Sequence, residues 1–131
     1  MADFIIANGY VVTMDPRRQI YADGAVAVEG RNIVAVGRTK DVLARHRAAL
    51  VIDAAGKLVI PGLVDGHNHA FQYLSKGIGD DVDIMTWLYK RVYPYETHVN
   101  AEEAYIGALG NYVQMIKSGT TCFNEPGGYH T

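Results

Sequence analysis

One stretch constrains this chain more than any other: Leu58 to Gln72, LVIPGLVDGHNHAFQ. An apolar run, Leu58-Val59-Ile60, meets Pro61-Gly62. A second apolar pair, Leu63-Val64, then leads into Asp65-Gly66-His67-Asn68-His69. Short apolar runs bounded by Pro-Gly and Asp-Gly read as strands with turn punctuation. Strand side chains alternate faces with a period of two, so His67 and His69 are expected to point the same way and Asn68 elsewhere. Two imidazoles on one face at a strand end can reach one metal ion. An H-x-H pair without that lead-in is equally compatible with core or loop histidines. Asp65 is expected on the face of His67, either orienting an imidazole or forming a turn with Gly66.

The residues before this stretch read as short strands. FIIANGYVVTM (4–14) holds two apolar runs around Asn8-Gly9, a strong two-residue hairpin signal. GAVAVEGRNIVAVG (24–37) repeats the pattern around Gly30, and LVID (50–53) and KLVI (57–60) repeat it around Ala55-Gly56. TKDVLARHRAA (39–49) predicts a short helix. Residues 1–60 are therefore expected to form a small sheet or half of a β-sandwich.

The residues after it change period. Residues 70–82, with Gly77, Gly79, Asp80 and Asp81, predict a polar loop. Ile84, Trp87, Leu88, Arg91 and Val92 have helical spacing, with Pro94 as the stop. A better-marked helix follows. Asn100 and Glu103 form a capping-box pattern, Ala104, Tyr105, Ala108, Leu109, Tyr112 and Ile116 an apolar stripe, and Gly119 a left-handed end. Thr120 to Asn124 predicts a strand closed by Glu125-Pro126-Gly127-Gly128, with Cys122 as a small buried apolar residue. Strand, helices, strand is a βαβ unit, which makes the two strands parallel neighbours.

An N-terminal β-region, PGLVDGHNH, and a helix ending in SGTT together resemble the amidohydrolase superfamily, over essentially the whole chain. The chain looks most like the branch of adenosine-analogue, guanine and cytosine deaminases and chlorotriazine hydrolases. The resemblance implies an α/β fold: a small β-sandwich part (1–60), then the first two strand-helix units of a (β/α)₈ barrel (61–131). Residues 61–131 fall far short of the ~250 that a complete barrel takes, so the chain is expected to be a truncated, N-terminal part of a longer enzyme. His67 and His69 match the family's first-strand ligands to one divalent metal ion, zinc with iron or manganese as alternatives. Two further histidines, an aspartate and the proton shuttle would come from later strands, so no catalytic proton-transfer residue is expected within this chain. Trp87 and Glu96 match a pair in the deaminases of S-adenosylhomocysteine and methylthioadenosine, where the Glu nine residues after the Trp binds ribose hydroxyls. The chlorotriazine hydrolases carry an amide at that place.

The function implied is hydrolytic deamination of a purine-type nucleoside analogue or related heterocycle by metal-activated water. The alternatives are triazine chloro- or aminohydrolysis, guanine or cytosine deamination, and, in another class, an inactive truncated relative. The 131 residues alone are expected to be inactive. The partner is a small heterocyclic substrate, with a homo-oligomer open to the full-length form. A formal net charge of -2 without a basic stripe argues against nucleic acid. The apolar runs are too short for a membrane span, and MADFIIANGY lacks the marks of a secretory signal. One cysteine fits a reducing cytoplasm. Trp87 as a helix core anchor and Glu96 as a solvated carboxylate are the plain readings of those residues.

Overall fold

The computed structural model describes residues 1–127, and Gly128 of the closing turn lies outside them. The chain forms a mixed α/β structure in two compact units, Met1–Pro61 and Gly62–Thr131.

The first unit is a five-stranded sheet carrying one helix. Its strands are β1 (Ala2–Val12), β2 (Ile20–Glu29), β3 (Asn32–Arg38), β4 (Ala48–Asp53) and β5 (Leu58–Val59), and α1 is Thr39–Arg45. The order is β3-β2-β1-β4, with β5 also on β1. β1 runs antiparallel to β2 and parallel to β4 and β5. Ile5, Ala7, Ala25 and Ala27 pack with Val42 of α1 as the core.

The expected hairpin at Asn8-Gly9 does not form. Buried residues alternate without a break from Ile5 through Ala7 and Gly9 to Val11, so one strand passes straight through. A type I′ turn needs positive φ at both central residues. Only Asn8 has it (φ 61), and the ladder to β2 shifts register on either side of Gly9. The result is a bulge. Asn8 is held by non-local partners: its N–H donates to Thr39 Oγ1 (3.0 Å) and its Nδ2 to Asp53 Oδ1 (2.9 Å).

The second unit is built on two short parallel strands, β6 (Leu63–Asp65) and β7 (Thr120–Phe123). The crossover contains a 3₁₀ turn (Ala70–Ser75), then α2 (Ile84–Trp87), a π-turn (Leu88–Val92), α3 (Tyr93–His98) and α4 (Ala101–Ser118). The βαβ pairing is as the sequence predicts. Three local expectations need correction. Half of the presumed loop 70–82 is the 3₁₀ turn. Pro94 does not stop a helix: it lies in the first turn of α3, and helical backbone continues across Val92 and Tyr93. Cys122 is exposed, because β7 has a single strand partner among the described residues.

α4 has both predicted ends. Asn100 Oδ1 accepts from Glu103 N–H (2.9 Å), Glu103 Oε2 accepts from Asn100 N–H (3.0 Å), and Gly119 closes the helix at φ 84. Its docked face differs from the predicted stripe. Gly107 and Met115 are buried, while Tyr105, Leu109 and Ile116 are exposed. Gly107 decides this: a Cβ there would lie 2.7 Å from the carbonyl oxygen of Phe71, so the helix seats against the 3₁₀ turn where it has no side chain.

Asn100→Ala is expected to lower unfolding free energy by about 1 kcal/mol in a urea titration, as loss of an N-cap does. Asp83 caps α2, accepting from Thr86 and Met85 N–H. The hydrogen bonds to Thr86 lead the causes that hold its carboxyl below the ordinary aspartate value. A depressed folded pKa stabilises above the unfolded value, and that stability is lost as pH falls through the folded one. Acid unfolding curves of Asp83→Asn should therefore lack part of the wild-type slope below about pH 4.

Candidate functional site

β6 ends at Asp65, and the two histidines lie in the segment just beyond it rather than on the strand. Their convergence comes from hydrogen bonds, not from strand alternation. Asp65 Oδ1 accepts from the backbone N–H of His67 (3.1 Å), and its Oδ2 accepts from Asn68 Nδ2 (3.0 Å). Asn111 of α4 donates its Nδ2 to Asn68 Oδ1 (2.8 Å). Glu125, just after β7, takes the N–H of Ala70 on Oε2 (2.6 Å). Residues 65–70 are thus pinned from the strand, from α4 and from the β7 end.

Asp65 therefore braces backbone and an amide, and its bond to the His67 N–H is that of the turn with Gly66. The Asn68 bond, then that of the His67 backbone, keeps its carboxyl below the ordinary range. Glu125, read from the sequence as closing the strand before Pro126, also helps fix the segment after His69.

The two rings meet edge to face, with centroids 5.2 Å apart and planes at 72°. Their Nε2 atoms are 3.3 Å apart. Two nitrogens at ~2.0–2.1 Å from a tetrahedral zinc are ~3.3–3.4 Å apart. The pair thus fits two corners of such a site without rearrangement. Among the described residues no group of three or more His, Cys, Asp or Glu side chains surrounds a common point, so the pair supplies two donors.

The pair opens on a cleft of about 400 Å³ lined also by Gln72, Lys76, Asp80 and Trp87. Trp87 is half-buried, and its indole edge rests against Gly79, where a Cβ would lie 2.0 Å from Cδ1. Glu96 is not on the cleft wall; its Oε1 accepts from Gln72 Nε2, which is. Trp87 and the histidines therefore share a cavity, and Glu96 joins it through one amide.

Comparison with known proteins identifies the group. Residues 58–130, more than half of the chain, match the profile of the amidohydrolase family. The chain belongs to that family. Residues 24–49 also match an imidazolonepropionase-like composite domain of bacteria. Among amidohydrolase relatives, a 5′-deoxyadenosine deaminase of Methanosarcina mazei is 43% identical over 125 residues, 95% of this chain and 28% of that protein. A 5-methylthioadenosine/S-adenosylhomocysteine deaminase of Nitratidesulfovibrio vulgaris is 37% identical over 123 residues, 94% of this chain and 28% of that protein. In structure, an adenosine deaminase from Xanthomonas campestris with bound zinc superposes with a TM-score of 0.89 at 34% identity, over 98% of this chain and 29% of that one. The amidohydrolase chain thus spans under a third of the length of these relatives.

Neither Gln72 nor Asn111 carries a signal of a site role in the sequence: each is one polar residue among others, and α4 also holds Glu102, Glu103, Gln114 and Lys117. Trp87 is the chain's only tryptophan, so its emission reports this cleft directly. Gly79→Ala is expected to shift that emission and to lower stability by ~1–3 kcal/mol, the range for overpacking. Unchanged emission would contradict the packing described.

Proposed function

We propose that this chain is part of a metal-dependent aminohydrolase that deaminates adenosine analogues altered at the 5′ position. The observation that carries the reading is the convergence of the His67–His69 pair, Trp87 and, through Gln72, Glu96 on one cleft. The relatives named for 5′-deoxyadenosine and for methylthioadenosine and S-adenosylhomocysteine support the substrate class. In this reading residues 61–131 begin a (β/α)₈ barrel, residues 1–60 belong to a β-sandwich, and the remaining donors come from sequence beyond this chain.

His67 and His69 would present two Nε2 atoms to the ion, zinc being favoured by the tetrahedral spacing. A bound divalent ion supplies a nucleophile at neutral pH by lowering the pKa of water to ~7. The chain's own residues do the rest of the work described here. Asp65, Asn68, Asn111 and Glu125 fix the histidine segment before any ligand arrives. Trp87 offers a flat apolar surface to the purine or to a 5′ thioether. Glu96 offers a carboxylate with about four acceptor positions, of which the Gln72 amide takes one. Vicinal ribose hydroxyls can donate to the others in charge-assisted bonds. An amide at this position would lose that charge, which favours a nucleoside over a triazine.

Two tests address the parts separately, in the complete protein. His67→Ala or His69→Ala is expected to reduce metal content measured by elemental analysis, together with activity. Glu96→Gln is expected to raise KM for 5′-deoxyadenosine about 10- to 100-fold, from ~1.5–3 kcal/mol for a charged hydrogen bond, while the inhibition constant of adenine stays put. Equal KM values for wild type and Glu96→Gln would remove the ribose role.

A further inference from the structure

Trp87 and Glu96 are nine residues apart on one helical stretch. In an uninterrupted α-helix each residue turns by about 100°, so nine steps place two side chains about 180° apart, on opposite faces. Yet Trp87 lines the cleft and Glu96 bonds to a residue of the same cleft. The backbone between them accounts for this. Trp87, Leu88, Val92 and Tyr93 all have right-handed helical angles, so the stretch does not break. The N–H of Tyr93, however, donates to Leu88 O, five residues back. A π-turn takes one extra residue into a helix. Eight effective steps then separate Trp87 from Glu96, which leaves them about 80° apart.

We propose that the π-turn Leu88–Val92 is a specificity device: its extra residue rotates Glu96 toward the side of Trp87, so that one ligand meets both the ring-binding and the hydroxyl-binding group. The inference rests on the substrate reading above and adds how the pair is brought into phase. Pro94 supplies a local cause. It has no N–H, and in a regular helix its ring would press on the carbonyl four residues back, that of Lys90. The wider turn relieves that contact. If relief of Pro94 were the whole of it, the rotation would carry no consequence for binding, and the two ideas separate experimentally.

The test uses the complete protein. Lys90 and Arg91 are exposed and touch neither the cleft nor Gln72. On a Pro94→Ala background, where a regular helix is permitted, deleting Lys90 removes the extra residue and leaves eight real steps, so KM for 5′-deoxyadenosine should stay within about twofold of the wild type. Inserting one alanine after Lys90 in the otherwise wild-type chain, where Pro94 keeps the wide turn, gives nine effective steps and returns Glu96 to about 180° from Trp87. It should raise that KM about tenfold or more without changing the inhibition constant of adenine. A double-mutant cycle on unfolding between Glu96→Ala and Gln72→Ala reads the same phase with no substrate present. Coupling should persist in the deletion and vanish in the insertion. A deletion that raises KM like Glu96→Gln, loses the coupling or fails to fold overturns the proposal, as does an insertion that retains the coupling. If Glu96→Gln has no effect on KM while the coupling follows the predicted pattern, the ribose reading fails and the phase argument stands.

Discussion

The site depends on a short chain of hydrogen bonds, Asn111 to Asn68 to Asp65 to the His67 backbone. Two imidazoles attract each other weakly, and nothing in a loop requires their nitrogens to meet. Ordering a residue's backbone costs about 1–2 kcal/mol, while a typical net hydrogen bond returns about 1. The segment therefore needs several bonds, and it has them from the adjoining strand end and from two elements distant in sequence, α4 and the end of β7. Because both oxygens of Asp65 and both ends of the Asn68 amide are engaged, the middle residue of H-x-H acts as a brace. Its side chain spans from the strand end to α4, and the flanking imidazoles are left to the cleft.

What was legible in the sequence follows the range of the interactions that decide each element. The α4 ends were legible because the deciding contacts span three residues: Asn100 with Glu103, and Gly119 with the last turn. The parallel β6–β7 pair was legible because a strand-helix-strand order leaves little topological choice. Asn8-Gly9 misled because its outcome is settled by residues 31 and 45 positions away, Thr39 and Asp53. A strand with partners on both sides has its backbone groups satisfied along its length, and turning at Asn8 would forfeit those bonds.

The same rule sorts the site. That His67 and His69 converge was legible from spacing, although the geometry is a pinned loop and not a pleated strand. For Asp65 the spacing left two roles open, and the bond to the His67 N–H two residues on is the local, turn-forming one. Glu96 carried no signal of its own apart from family likeness, and Gln72 carried none, since an amide in a polar-looking segment is indistinguishable from a solvated one. The periodic reading of residues 84–92 found the helix but not its phase, because period matching assumes 3.6 residues per turn throughout. The π-turn breaks that assumption between Trp87 and Glu96.

Apolar exposure in this unit bears on how autonomous the site is. Val64 is 73% exposed and Ile116 76%, and β6–β7 is a two-stranded parallel ladder. Parallel sheets ordinarily have both faces covered, and two strands alone are marginal. The contacts that fix the histidine pair are of a different kind. They run through Asp65, Asn68, Asn111 and Glu125, all polar and all within the second unit, and none uses the exposed apolar side chains. Covering Val64 and Ile116 would therefore stabilise the scaffold without resetting the 3.3 Å spacing of the two nitrogens. Stability and site geometry are separable here because burial is non-directional, while the hydrogen bonds that aim the imidazoles are not.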